Sequence, residues 1–221
     1  MSRRIIGAAF ISLDGVMQAP GGAEEDRSGG FAHGGWLAPL SDEAVAGQIR
    51  ALFSAPFDLL LGRRTYEIFA AYWPFVSPDH PIAARFAAAR KFVLGPADLA
   101  LTWDGSERLA DLNAVGALKA ESGPDLIVQG SATLYPQLLA EGLLDRLILI
   151  QAPVLLGTGK RLFGEGTPAT TLRLIEQRSG ANGMRVATFE PAGPVATAPS
   201  GPEQANPREL ARRERIARGT W

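Results

Sequence analysis

The sequence predicts an α/β domain: a mainly parallel central sheet with helices on both faces, closed by a C-terminal antiparallel hairpin. Three observations carry this. Short apolar, partly β-branched runs alternate with amphipathic segments along most of the chain. Those runs are apolar at successive positions, as strands buried on both faces are. Near the end, Leu172 to Arg178 and Met184 to Glu190 instead alternate apolar and polar residues around an SGANG turn signal.

Ile5 to Leu13 reads as the first buried strand. Gly15 to Gly35, rich in Gly, Pro and Asp, reads as a long loop and a candidate lid. Ser41 can cap a helix over Asp42 to Ser54, whose first-turn acids suit the dipole. Asp58 to Leu61 is a second strand, and Thr65 to Tyr72 a helix stopped near Pro74. Lys91 to Leu94 is a third strand, Asp111 to Glu121 a helix, and Asp125 to Gln129 a further strand. Ala132 to Glu141 is a helix with Pro136 in its first turns, and Leu147 to Leu156 a long strand. No internal repeat is present.

The chain has 221 residues, 46% of them hydrophobic, and a formal net charge of -1. That is apolar enough for a sizeable core. The balanced charge gives no basic field, so no nucleic-acid partner is expected. Cysteine is absent, and His33 and His80 are the two histidines, with no ligand cluster around either; no metal site is expected. The apolar run in the first fifteen residues soon meets Asp14 and has no cleavage pattern, so no membrane span or signal peptide is expected and the cytoplasm is the expected location.

Residues 1–190 are expected to form the domain, and 191–221 a linker and tail. The tail begins as a Pro/Ala/Gly linker, GPVATAPSGPEQANP, and ends as RELARRERIARGTW. The latter can form a short basic helix, with Glu209–Arg213 and Glu214–Arg218 at i,i+4 spacing. Leu210 and Ile216 give it little to bury. A solvated tail and a docking segment both fit.

The chemistry concentrates at two turns. LLLGRRT runs a buried strand into Gly62 and then sets Arg63, Arg64 and Thr65 at the start of a helix. Helix N-termini offer free N–H groups and a favourable dipole to anions, whereas cations there oppose the dipole unless an anion is bound. The guanidinium groups could fork onto phosphate oxygens; the alternative is that they merely face solvent. DLIVQGSAT repeats the arrangement, with Gly130, Ser131, Ala132 and Thr133 all small or hydroxylic. Two such turns on neighbouring parallel strands lie at the carboxyl edge of one sheet, where open α/β sheets bind ligands. Two other motifs fail. LLGTGKR is no P-loop, since Val154 and Arg161 replace the required glycine and hydroxyl residue. QGSAT is no nucleophile elbow, since Thr133 replaces the last glycine.

SLDG (Ser12 to Gly15), LLLGRRTYE (Leu59 to Glu67), KFVLG (Lys91 to Gly95), VQGSATLYPQLLAEGLLDRL (Val128 to Leu147) and PVLLGTGKRLF (Pro153 to Phe163) occur in this order. Together they resemble the dihydrofolate-reductase-like superfamily, in the branch of the riboflavin-biosynthesis reductase, the RibD C-terminal domain. The resemblance spans about residues 3 to 190. It implies a dihydrofolate-reductase-like three-layer fold and an NAD(P)H-dependent oxidoreductase acting on a small heterocycle or a C=N or C=O compound. It implies that Gly62, Arg63, Arg64 and Thr65 hold the pyrophosphate and the 2′-phosphate of NADPH, and that Gly130, Ser131, Ala132 and Thr133 wrap the other side. Leu94 would pack by the adenosine, and Tyr135 would lie near the nicotinamide. Ser12 and Asp14 would line the nicotinamide and substrate region.

Asp14 is the catalytic candidate, to orient or protonate substrate; a turn-capping aspartate is its alternative. Trp36 would wall the substrate pocket, or else anchor the core. Gly95-Pro96 stands where relatives carry a hydroxyl near the 2′-phosphate, so NADH stays open beside NADPH. Alternatives are the riboflavin-pathway 5-amino-6-(5-phosphoribosylamino)uracil reductase, which needs a substrate phosphate site, and a non-catalytic nucleotide-binding module, which turnover with any acceptor would exclude. Related families suggest a homodimer, with Leu147–Leu156 and the closing hairpin as candidate surface.

Overall fold

The computed structural model describes residues 2–198 and 206–220; part of the expected linker and Trp221 lie outside them. Among the described residues one eight-stranded sheet runs through the molecule. Its strands are β1 (Ile5–Ile11), β2 (Phe57–Gly62), β3 (Lys91–Leu94), β4 (Ser106–Leu109), β5 (Asp125–Gln129), β6 (Arg146–Gln151), β7 (Leu172–Ser179) and β8 (Arg185–Pro191). The order across the sheet is β4-β3-β2-β5-β1-β6-β8-β7. The first six strands pair in parallel; β8 pairs antiparallel with β6 and with β7. The helices are α1 (Glu43–Leu52), α2 (Arg63–Tyr72), α3 (Pro81–Ala88), α4 (Leu112–Ala120), α5 (Leu134–Ala140) and α6 (Pro207–Ala217). None of the described helices is long and apolar enough to cross a membrane.

Strand alternation sorts the core into two layers. Leu126 and Val128 of β5 face one way and pack with Val115 and Leu118 of α4 and Leu134, Tyr135 and Leu138 of α5. Ile127 faces the other way and joins Leu59 and Leu61 of β2, Tyr66 of α2 and Phe86 of α3. Ile6 and Ala8 of β1 extend that second layer toward α1 and β6, with Val45 and Ile148. At Gly7 the close approach explains the glycine. A Cβ there would sit 2.5 Å from Cε1 of Tyr135, whose ring lies against the strand.

Several elements differ from the expectation. β6 ends at Gln151, not Leu156, because the chain leaves the sheet after Ala152 and turns to meet the first loop, where Leu13 N donates to Val154 O at 2.8 Å. α2 starts at Arg63, two residues early. α3 is an additional helix, started by Pro81 and by His80, whose Nδ1 accepts from the Ile82 and Ala83 amides. β4 is an additional edge strand with a charged, half-exposed sequence. α6 forms with Asn206 as its cap, and Glu209–Arg213 and Glu214–Arg218 pair at 2.9 and 3.6 Å.

Candidate nucleotide and substrate cleft

β2 and β5 are adjacent and parallel, so their carboxyl ends bring the two small-residue turns side by side. The turns are fastened to each other. Ser131 N donates to Thr65 Oγ1 at 2.8 Å, and Gly62 N donates to Ser131 Oγ at 2.9 Å. Gly130 and Ser131 both take left-handed φ, +66° and +56°. A side chain at Gly130 would collide with Thr65, since its Cβ would lie 2.8 Å from Thr65 Cγ2 and Oγ1. The two hydroxyls have spent acceptor capacity on backbone N–H groups, which leaves their own protons to donate outward. α2 has no side-chain cap, so its first-turn N–H groups stay open at the same place. Arg63 pairs with Glu67 at 3.2 Å and abuts Gly95, whereas Arg64 is exposed and makes no ion pair with a described residue.

These turns open into a cleft of about 1760 Å³. Gly62, Arg63, Arg64, Thr65, Leu94, Gly130, Ser131, Ala132 and Thr133 all line it, together with Gly95 and Pro96. At one end it reaches Asp111 and Asn113, beside the start of α4. At the other it reaches Phe10, Leu37, Ile68, Tyr72 and Trp73, under the loop that follows β1. The volume exceeds the roughly 300–1,000 Å³ of a drug-sized ligand pocket, and an extended dinucleotide with a second small molecule is in scale with it.

Four expected site residues do not line the cleft. Tyr135 is wholly buried under β1, its hydroxyl 2.9 Å from Val128 O and 3.2 Å from Ala8 O. Burial pushes its phenol above its ordinary value. The ring therefore braces the two central strands from below. Ser12 is buried as well, and its Oγ accepts from Val16 N at 2.9 Å.

Asp14 accepts from Ser12 Oγ, from Leu156 N at 3.1 Å and from Gly157 N at 2.8 Å. These bonds, the Ser12 hydroxyl first, hold its carboxyl down at about 2. It is an anion that clasps the 153–161 segment, and so lacks a proton to give at neutral pH. Trp36 donates its Nε1 to Gln18 O at 2.8 Å and packs among apolar residues, which is the anchor alternative.

The Gly15 to Gly35 loop is tied rather than loose. Gln18, 5% exposed, donates to Asp26 O and Ser28 O, and its Oε1 accepts from Lys160 N. Lys160 Nζ pairs with the Asp26 carboxylate and bonds Ser28 Oγ at 2.6 Å. Gly34 is required, since a Cβ there would lie 2.6 Å from Ala23 O. The loop thus makes a wall of the cleft.

Gln129, Glu25, Tyr72 and Trp73 line the cleft without having been marked by a motif. Glu25 accepts from Gly21 N at 2.7 Å and Gly22 N at 3.2 Å, and burial raises its pKa. Gln129 carries one faint sequence signal, a polar residue closing an otherwise apolar strand. Among the described residues no cluster of three or more metal-ligating side chains occurs.

Solved structures share this architecture. A Shewanella sp. PV-4 protein described as a riboflavin biosynthesis protein superposes with a TM-score of 0.64 at 20% identity, over 87% of this chain and 99% of that one. A pyrimidine reductase-like protein of Corynebacterium diphtheriae gives 0.56 at 18%, over 86% and 92%. The dihydrofolate reductase of Enterococcus faecalis, complexed with NADP(H) and RAB-propyl, gives 0.54 at 14%, over 86% and 99%. The fold is therefore dihydrofolate-reductase-like. None of the curated proteins matches the chain. The model of the RibD C-terminal domain matches residues 3–186, and by that match the chain belongs to the RibD C-terminal domain family.

Proposed function

We propose that the protein is an NAD(P)H-dependent oxidoreductase acting on a small heterocyclic or C=N or C=O substrate. The observation that carries this reading is the pair of stitched turns at the ends of β2 and β5, opening on one long cleft beside Arg63 and Arg64. The residues present fit a dinucleotide phosphate: outward hydroxyl protons on Thr65 and Ser131, open N–H groups at the start of α2, and an unpaired guanidinium at Arg64. When bound, the reduced nicotinamide supplies the hydride.

The chain's own work is to bind, orient and exclude water. Gly62, Arg63, Arg64 and Thr65 hold one side of the phosphates, and Gly130 to Thr133 the other. Leu94 and Gly95 border the adenosine end, where Gly95-Pro96 offers no hydroxyl. Arg63, packed beside Gly95, is then the cation nearest a 2′-phosphate. Phe10, Leu37 and Ile68 form an apolar wall at the far end, which favours a planar substrate. Glu25 is the carboxyl on that wall whose proton is held most firmly. Homodimerisation is proposed through the outer strand β7, where Leu174 and Ile175 are exposed, and light scattering would test it.

Titration with NADPH and with NADH tests the reading, following quenching of Trp73 in the cleft and energy transfer to the reduced ring. Arg63→Ala and Arg64→Ala should each weaken NADPH binding by about tenfold, a charge-assisted hydrogen bond being worth about 1.5–3 kcal/mol. Equal affinity for NADH would place the 2′-phosphate outside recognition. No binding of either at micromolar concentration would sink the reading.

A further inference from the structure

The apolar run of β5 ends in a polar residue with nothing to bond. Leu126 and Val128 face the α4–α5 layer and Ile127 the opposite one, so alternation sets Gln129 on the face of Ile127. On that face the flanking strands carry Leu61 of β2 and Ala8 and Phe10 of β1. The β1–β5 ladder ends at the pair Ala8 and Gln129, while β1 continues with β6 to Ile11 and Gln151. Gln129 therefore stands where the two central strands part, in the floor of the cleft.

Its Oε1 is buried and accepts nothing. Among the described residues Asp42 Oδ2 and Ser106 Oγ share that state, but neither lines the cleft. No described residue bonds the Nε2 end either. A leucine or methionine of similar length would serve a fold better at a junction of two apolar clusters. An idle polar group kept at the floor of a cleft is a rule broken for a ligand.

We propose that Gln129 is a positioning and specificity residue whose side-chain amide engages a neutral amide edge, a carboxamide or a lactam, on a planar ring bound in the cleft. The inference rests on reading the cleft as a reductase site. An amide presents an acceptor and a donor in one plane, and another amide is its complement. Its last torsion is broad and two-fold, so either end can turn to the ligand. Being neutral, it suits a neutral partner rather than a phosphate or carboxylate. Two sources carry that edge: the carboxamide of the cofactor's nicotinamide, and a lactam substrate.

Gln129→Leu and Gln129→Met decide the matter, with four probes: NADPH, its 3-acetylpyridine analogue (carbonyl kept, amide N–H₂ lost), 2-pyridone and N-methyl-2-pyridone. Without ligand both variants should melt at or above the parent's temperature, since no protein hydrogen bond is removed. If the cofactor is the source, NADPH affinity falls about fivefold or more in both variants and that of the analogue does not change. If a substrate is the source, NADPH affinity stays level, and 2-pyridone gives a saturation-transfer signal with the parent alone, N-methyl-2-pyridone with none. A drop of several degrees in both variants makes the amide structural and overturns the inference. So does equal binding of every probe by parent and variants. Should the parent bind no NADPH, the reductase reading fails by itself and the pyridone arm decides Gln129, absence of any pyridone signal overturning it.

Discussion

Ser131 N donates to Thr65 Oγ1 at 2.8 Å across the gap between two strand ends that lie 66 residues apart in sequence. The return bond, from Gly62 N to Ser131 Oγ, makes the link reciprocal. Both residues are almost fully buried. Thr65→Val keeps the shape and removes the acceptor, leaving the Ser131 amide unpaired at a cost of about 1–3 kcal/mol. Urea unfolding should show that loss. NADPH affinity should fall with it, because the two halves of the phosphate site are no longer held in register.

Arg64 should behave in the opposite way. It is exposed, makes no ion pair with a described residue, and sits at the positive end of a helix dipole. Arg64→Ala should therefore leave stability unchanged or raise it by about 0.3–1 kcal/mol while weakening NADPH binding. Thermal melting with and without NADPH reads both effects in one experiment. A variant that loses stability without ligand would contradict this account of the residue.

Arg3 and Asp58 form a buried ion pair that ties the N-terminus to β2. Arg3 Nε also reaches Pro124 O at 2.6 Å, and Asp58 accepts from Arg90 N at 2.9 Å. Arg3→Met strands a carboxylate beneath the sheet and should cost about 3–5 kcal/mol. Adding Asp58→Leu should recover much of it. A double-mutant cycle by chemical denaturation gives the coupling directly.

Lys91 is fully buried in β3, its Nζ donating to Asp104 O at 3.0 Å and Ala87 O at 3.2 Å and lying 4.3 Å over the Trp103 ring. Burial lowers its pKa from 10.5 to about 8. Between those values the unfolded chain holds a proton that the folded one releases, so stability gains with rising pH across that window. Below it the charged form is uniformly disfavoured by burial. Lys91→Met removes this gain, and the difference in melting temperature between parent and variant should narrow progressively from pH 8 to 10. A difference that widens would reverse the assignment.

Asp14→Asn should separate clasp from catalysis. The amides of Leu156 and Gly157, which now donate to the carboxylate, should exchange with solvent faster. NADPH affinity should change little, the residue standing outside the cleft.

The sheet was legible because buried parallel strands advertise themselves as apolar runs, and the hairpin because β7 and β8 alternate. The strand β4 was not, since an edge strand written Ser-Glu-Arg-Leu pays no attention to hydrophobic periodicity. α3 had its signals in Pro81 and the alanines around Phe86, and only its capping histidine was cryptic. The phosphate turns were readable from local residue types, because glycine and small hydroxyl residues are a local requirement. The far end of the cleft was not. Which of Ser12, Asp14, Trp36 and Tyr135 reach it depends on how the 153–161 segment and the loop after β1 lock together, and that is a matter of contacts 140 residues apart, such as Asp14 with Leu156 and Lys160 with Gln18. Gln129 had no motif, only a polar letter in an apolar run.

The position of β1 has a consequence for synthesis. Its two neighbours in the sheet are β5 and β6, so the first strand to leave the ribosome can pair with nothing until the chain has been made to Gln151. Through most of translation Ile5–Ile11 is an apolar segment with open edges, the kind that nascent chains shield with chaperones or lose to aggregation. A circular permutant that begins after β4 and carries β1 late should refold faster, because its central pairings would become short-range.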